Sequence, residues 1–165
     1  MIFVTLGSQK FQFNRLLKEL DYLVKDFKIK EEIFAQIGYS DYKPQNYKYK
    51  DFVDRDQFKD IMSKSDIVIT HGGTGAIITA VKQGKKVIAV PRLAKFGEHV
   101  DDHQIQIVTE FENSEIIKAV YDMEQLESVL KEIKSIEFKE YISNTQSIIE
   151  DIEEFIKNTE KINEK

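Results

Sequence analysis

The fold is decided by the stretch Ile67-Val68-Ile69-Thr70-His71-Gly72-Gly73-Thr74-Gly75, in which an apolar run ends in a glycine-rich turn. Four consecutive strand-forming residues of this kind are typical of a buried parallel strand. The apolar segment over 75–83 that follows predicts a helix, and Gly84 ends it. Strand, glycine turn and helix in this order indicate a βα unit, whose helix start presents free backbone N–H groups.

The same alternation extends in both directions from this unit. We predict further strands over 2–6, 33–37, 49–53, 87–90 and 116–120, with a loop over 39–50. We predict further helices over 14–27, 55–64, 101–111, 123–134 and 138–160, with caps at Asn14, Asp54 and Asp122. Short connections between alternating strands and helices predict an α/β fold, a doubly wound parallel sheet that binds ligands at the carboxyl ends of its strands.

Length and composition limit the class of protein. The 165 residues correspond to one domain, and the lack of cysteine excludes disulfides, thiolate metal sites and cysteine nucleophiles. Because no apolar run reaches the ~18–20 residues that span a bilayer and no leader pattern is present, we expect a cytoplasmic protein with no direct membrane span. Residues 110–165 carry 7 basic and 15 acidic side chains, which disfavours nucleic acid as a partner.

Two loops that follow predicted strands concentrate the residues capable of chemistry. In the loop over 71–75, the glycines would let a ligand approach the backbone, Thr74 offers a hydroxyl and His71 titrates near neutral pH. In the loop over 91–104, carboxylate, amide and imidazole groups could bind sugar hydroxyls. A tight turn that binds nothing, and a purely capping role for Asp101, stay open as alternatives.

Together these two loops resemble the C-terminal domain of family 28 glycosyltransferases. The resemblance rests on Thr70-His71-Gly72-Gly73-Thr74-Gly75, Gly84, Val90-Pro91-Arg92 and Gly97-Glu98-His99-Val100-Asp101-Asp102-His103-Gln104, with the opening Phe3-Val4-Thr5-Leu6-Gly7-Ser8 and Phe13-Asn14-Arg15-Leu16. The nearest group is the small bacterial exopolysaccharide and capsule transferases of the polysaccharide-E type. These are similar to the catalytic subunit of the eukaryotic two-part N-acetylglucosamine transferase of dolichol-linked oligosaccharide synthesis.

The resemblance implies a single GT-B half, a Rossmann-like domain that holds a UDP-sugar donor and requires no metal or other cofactor. It implies that the glycine turn meets the diphosphate and that the second loop binds the donor sugar. The expected donor-binding residues are Gly7, Ser8, Gly72, Gly73, Thr74, Gly75, Arg92, Glu98, Asp102, His103 and Gln104. For proton acceptance from the acceptor hydroxyl we expect His71 and His99. One position departs from the pattern, because Thr79 stands where related transferases often place a ribose-binding carboxylate.

A GT-B enzyme uses two Rossmann-like domains, so the resemblance also implies a partner. We expect a nucleotide-sugar-binding domain over 1–135 and a long C-terminal helix within 136–165 that packs on this domain or docks on a partner. The expected partner is a membrane-associated subunit that binds a lipid-linked saccharide acceptor. It would recruit this chain from the cytoplasm to the inner face of the membrane.

Other functions compete for the same residues. The chain could be a non-catalytic accessory module that binds a nucleotide sugar and stabilises a transferase. It could instead be a metal-dependent hydrolase that uses His99 and His103, although no third ligand is evident beside them. The triplet Asp54-Arg55-Asp56 resembles the metal motif of another glycosyltransferase fold, but its position before a helix favours capping.

Overall fold

The computed structural model of the chain describes residues 1–143, 149 and 152. Within this part of the chain, six parallel strands form one sheet in the order β3-β2-β1-β4-β5-β6. The strands are β1 (Ile2–Thr5), β2 (Ile33–Gln36), β3 (Lys48–Lys50), β4 (Ile67–His71), β5 (Lys86–Val90) and β6 (Lys118–Ala119). The helices are α1 (Asn14–Lys25), α2 (Arg55–Lys64), α3 (Thr74–Val81), α4 (His103–Asn113) and α5 (Leu126–Glu132). This is the strand order of a Rossmann-like fold, which confirms the predicted fold class.

The strand order reverses between β1 and β4, and this reversal positions the candidate site. Thr5 pairs with Thr70 in the register of these two strands, and both strands end within the next two residues. Their following loops, over 6–13 and 72–73, therefore leave the sheet side by side. In sheets of this type, such a switch point forms a crevice in which ligands bind.

Two apolar layers cover the two faces of the sheet. One layer packs α1 and α5 against the sheet through residues such as Leu16, Leu20 and Leu126. The other packs α2, α3 and α4 through residues such as Met62, Ile77 and Val108. The central strands β1 and β4 are buried along their whole length, as expected for near-continuous apolar runs covered on both faces.

Helix capping agrees with the prediction at two of three positions. The Asp54 carboxylate accepts hydrogen bonds from the backbone N–H groups of Asp56 and Gln57, so the acidic triplet caps α2. Asp122 likewise forms a capping box with Gln125 before α5. The prediction for Asn14 was wrong: Phe13 occupies the N-cap position of α1, and Asn14 Oδ1 instead accepts from the Tyr42 backbone N–H.

Some predicted boundaries also differ from the structure. The third strand occupies Lys48–Lys50, so it begins inside the predicted loop, and α4 begins at His103 rather than at 101. Residues 138–143 have no regular secondary structure, which contradicts the predicted start of the last helix. The remainder of that predicted helix falls almost entirely outside the described residues. Among the described residues, no helix combines the length and apolarity needed to cross a membrane.

Candidate functional site

His71, the last residue of β4, lies at the centre of the switch point between two glycines. A Cβ atom built on Gly7 would stand 2.7 Å from His71 Cε1, and one on Gly73 would stand 2.3 Å from His71 Nε2. The imidazole therefore fills the space that side chains would occupy at both positions. The sequence interpretation assigned these two glycines to the ligand, but their contact within the described structure is with His71.

The surroundings of His71 disfavour its charged form. The residue is only 8% exposed, and Thr70 Oγ1 lies 3.4 Å from its Nδ1. Burial, followed by the nearby positive charge of Arg92, lowers the pKa of His71 to about 4. The side chain is therefore neutral at pH 7 and is a weak proton acceptor, because general bases work best with a pKa near the working pH. Its expected role as a catalytic base stays a prediction.

Gln104, at the start of α4, joins the loops that follow β4 and β5. Its Oε1 atom accepts from the Gly72 backbone N–H at 3.1 Å and from the Arg92 backbone N–H at 3.0 Å. A Cβ atom on Gly72 would stand 2.8 Å from Gln104 Cβ, so only glycine allows this approach. The side-chain oxygen of Gln104 thus accepts hydrogen bonds from the protein backbone, and its amide Nε2 is the atom that could donate to a donor sugar.

Arg92, predicted to lie near the diphosphate, is almost completely buried, with 1% exposure. Its Nη2 donates to the backbone oxygens of Leu6 at 2.8 Å and Phe11 at 3.3 Å. Within the described part of the chain, Nε and Nη1 have no hydrogen-bond partner. Burial lowers the pKa of Arg92 to about 10, so it remains charged at pH 7. The guanidinium therefore holds the loop after β1 by hydrogen bonds and places a positive charge near His71.

Glu98, another expected donor-binding residue, is fully buried and ion-paired. Arg15 donates from Nε and Nη2 to the two carboxylate oxygens, both at 3.0 Å, in a fork geometry. The Leu93 backbone N–H donates to the same carboxylate at 3.0 Å. Because Arg15 and Leu93 occupy its oxygens, Glu98 shapes the loop after β5 in this structure.

The remaining residues of the second loop divide into two groups. Asp102 is exposed and accepts from the Ala94 backbone N–H at 2.7 Å, which ties the start of α4 to the short 3-10 turn over 94–96. His99 and His103 converge on Asp101, whose Oδ1 lies 3.5 Å from His99 Nδ1 and contacts His103 Nδ1 directly. Asp101 is therefore the third potential ligand that the sequence interpretation did not identify, although the His-x-Asp-x-His spacing could have suggested it.

The exposed part of the site is the start of α3 with the turn after β1. Thr74 and Gly75 begin α3 and are exposed, and Ser8 is exposed after Gly7. A Cβ atom on Gly75 would meet nothing within 4 Å, so this side of the helix start is open. The Thr79 hydroxyl donates to the Gly75 carbonyl one turn earlier, at 2.7 Å. These groups are the ones that a ligand could reach without displacing protein.

Two cavities of several hundred cubic ångströms lie away from these exposed residues. A cavity of about 670 Å³ is lined by Lys86 at the amino end of β5, with Val81 and Tyr141, on the opposite edge of the sheet. Another of about 660 Å³ is lined by Arg15, Leu93 and Phe96 and adjoins the second loop from the α1 side.

Comparison with known proteins identifies the family. The Glycosyltransferase family 28 C-terminal domain matches residues 1–160. The chain belongs to this family. No curated protein matches the chain.

Solved structures of similar fold agree with this assignment. The family 28 domain resembles the glycotransferase of kitacinnamycin, with 17% identity and a TM-score of 0.58 over 81% of this chain and 34% of that chain. It also resembles MurG of Acinetobacter baumannii, with 19% identity and a TM-score of 0.56 over 79% of this chain and 40% of that chain. At these identities the likeness concerns the fold alone, a Rossmann-like GT-B half. The chain spans between a third and two fifths of the length of both structures.

Proposed function

We propose that this glycosyltransferase family 28 domain is the donor-binding catalytic subunit of an enzyme that transfers a hexose from a UDP-sugar to a lipid-linked saccharide. The reaction would serve capsule or exopolysaccharide assembly. A membrane-associated subunit would bind the acceptor and hold this chain at the inner face of the membrane. The described part of the chain forms one Rossmann-like sheet, and in the proposed enzyme a domain of the partner would close the crevice.

The single observation that carries the donor site is the exposed start of α3 at the switch point. Gly73 precedes the helix, Thr74 and Gly75 are its first residues, and the latter two are exposed. Backbone N–H groups and the helix dipole stabilise phosphate oxygens at such a position. The positive charge of the buried Arg92 side chain lies near His71, the last residue of β4, the strand that leads into α3.

In the proposed reaction, an acceptor hydroxyl attacks the anomeric carbon opposite the UDP group, which leaves with inversion. The helix start of α3 would offset the negative charge that develops on the diphosphate, so a metal is not required. The attacking hydroxyl must lose a proton. The low pKa of His71 makes it a weak acceptor, and the proposal therefore assigns the proton to a group of the partner subunit.

Calorimetric titration of the chain with UDP-glucose, UDP-galactose and UDP-N-acetylglucosamine tests the donor site. The informative variant is Gly75→Asp, because the open space at Gly75 accepts the side chain and its charge would face the diphosphate. We expect binding to weaken about tenfold or more, since two like charges ~5 Å apart repel by a few kcal/mol before screening. The matched control Gly75→Asn has the same shape without the charge and should bind nearly as well as the unmodified chain.

The outcome that defeats the proposal is a lack of binding by every UDP-sugar when the partner subunit is also supplied. Equal weakening by Gly75→Asp and Gly75→Asn would remove the diphosphate from the start of α3. A second candidate, a non-catalytic donor-binding module, is favoured by the enclosure and low pKa of His71. It predicts binding of a UDP-sugar without transfer even when partner and acceptor are present.

A further inference from the structure

The loop before α4 brings three metal-ligating side chains together within five residues. One ring nitrogen of His99, a carboxylate oxygen of Asp101 and one ring nitrogen of His103 all lie within 4.8 Å of one another. We propose that these three residues form a binding site for a divalent transition metal of the Zn²⁺ class. His103 is also among the expected donor-binding residues and His99 among the expected proton acceptors, so a metal bound here would take both side chains out of those roles. Metal binding is tested without a UDP-sugar, so its outcome is distinguishable from that of the donor-binding test.

The buried, unpartnered nitrogen of His99 is an independent sign of a missing ligand. The side chain is only 8% exposed, and its Nδ1 atom has no hydrogen-bond partner among the residues that the structure describes. The ring packs against Phe11 with their centroids 4.8 Å apart, so its orientation is fixed from the loop after β1. Buried polar atoms are normally satisfied, and a ligand between this nitrogen and Asp101 would satisfy it.

The distances suit a small tetrahedral ion. Zinc bonds of ~2.0–2.1 Å place neighbouring ligand atoms about 3.3 Å apart. His99 Nδ1 lies 3.5 Å from Asp101 Oδ1, close to that value. His103 Nδ1 is in direct contact with the same oxygen and must move outward by rotation of its side chain. Both Asp101 and His103 are exposed, so this movement meets little resistance.

The donor set also selects the kind of metal. Two imidazole nitrogens with one carboxylate oxygen suit Zn²⁺, Ni²⁺ or Cu²⁺, whereas Mg²⁺ and Ca²⁺ prefer oxygen ligands. The exposure of Asp101 and His103 leaves a fourth position open to solvent, where a water molecule would complete the tetrahedron. Asp101 Oδ1 also accepts from the His103 backbone N–H at 3.1 Å, which orients the carboxylate toward both rings.

The test is metal binding to the untagged chain after treatment with a chelator. Titration with Zn²⁺, followed by calorimetry and by elemental analysis of the desalted protein, should give one bound ion per chain. Zn²⁺ should also raise the melting temperature, and Mg²⁺ at the same concentration should not. We expect His103→Gln and Asp101→Asn each to weaken Zn²⁺ binding by more than about tenfold, because each removes one of three ligands.

The variants are chosen so that folding does not obscure the result. Asp101 and His103 are exposed, whereas His99 packs on Phe11 and its replacement would perturb the loop. Asp60→Asn, at an exposed carboxylate paired with Lys64, controls for adventitious binding and should leave the Zn²⁺ affinity unchanged. Absence of stoichiometric Zn²⁺ binding, or equal affinity in His103→Gln and the unmodified chain, would overturn the proposal. Circular dichroism of each variant verifies that it is folded.

Discussion

Replacing Gly73 by alanine should destabilise the fold through His71. Gly73 has an extended backbone conformation that any residue adopts, with φ of −83°, so the effect must come from contact alone. The added Cβ atom would stand 2.3 Å from His71 Nε2, against 3.4 Å at the lower end of ordinary contact, so the imidazole must move by about 1.1 Å. The ring also fills the space beside Gly7, where a built Cβ atom would stand 2.7 Å from His71 Cε1. Overpacking of this kind typically costs about 1–3 kcal/mol.

Urea denaturation at pH 7, followed by far-ultraviolet circular dichroism, measures the loss in free energy of unfolding. Gly75→Ala is the matched control two residues away: it adds the same atom in open space within a helix and should be neutral or stabilising by up to about 1 kcal/mol. A double-mutant cycle with His71→Ala isolates the contact, because Gly73→Ala should cost much less once the imidazole is gone. If Gly73→Ala costs as much in the His71→Ala background as in the unmodified chain, the assignment of these glycines to His71 is refuted.

Two further predictions concern buried titratable side chains, Glu98 and His71. Glu98→Gln should lower the free energy of unfolding by about 2 kcal/mol, because it replaces the charged partner of Arg15 in a buried fork; a loss below about 0.5 kcal/mol in urea denaturation would contradict this. Burial and Arg92 lower the pKa of His71 to about 4, below the ~6.5 of an unfolded chain, so the unfolded state binds the extra proton between these values. The contribution of His71 to stability is therefore fully present above about pH 6.5 and disappears as the pH falls toward 4, on the order of 3 kcal/mol. Unfolding curves at pH 7 and pH 4.5 should show a smaller difference for His71→Asn than for the unmodified chain, and equal differences would count against the buried neutral imidazole.

Most of the correctly predicted strands and helices rest on local sequence patterns. The apolar runs of the strands and the spaced leucines of α1 are signals within a few residues, so the elements from β1 to α5 are predicted to within two or three residues. The predicted start of the last helix at 138 is wrong. Asp54 as a cap depends only on its distance from Gln57 along the chain. The prediction for Asn14 failed because Tyr42, 28 residues away, takes its side chain, and no local pattern reports such a competitor.

The sequence predicts where the two loops of the candidate site lie, but not the contacts that their buried side chains make. The glycine turn and the second loop do lie at the same edge of the sheet, as their positions after β4 and β5 required. The roles of Arg92 and Glu98 depend on partners 81–86 residues away, namely Leu6, Phe11 and Arg15. A charged residue in a loop after a strand is typical of a ligand site, and sequence alone does not distinguish it from one that holds two loops together.

These long-range hydrogen bonds all join the segment after β1 to the loop after β5. The loops after β1 and β5 are separated in the sheet by β4, yet Arg92 bonds to Leu6 and Gln12 bonds to the Phe96 carbonyl at 2.8 Å. Arg15, in the first turn of α1, adds its ion pair with Glu98. The bridge therefore passes across the end of β4, where His71 lies. A bridge made of charged and backbone hydrogen bonds fixes both loops before any ligand arrives, which reduces the ordering cost of binding. The buried charges thus contribute to binding by holding the edge in place, and the exposed start of α3 is left to meet the donor.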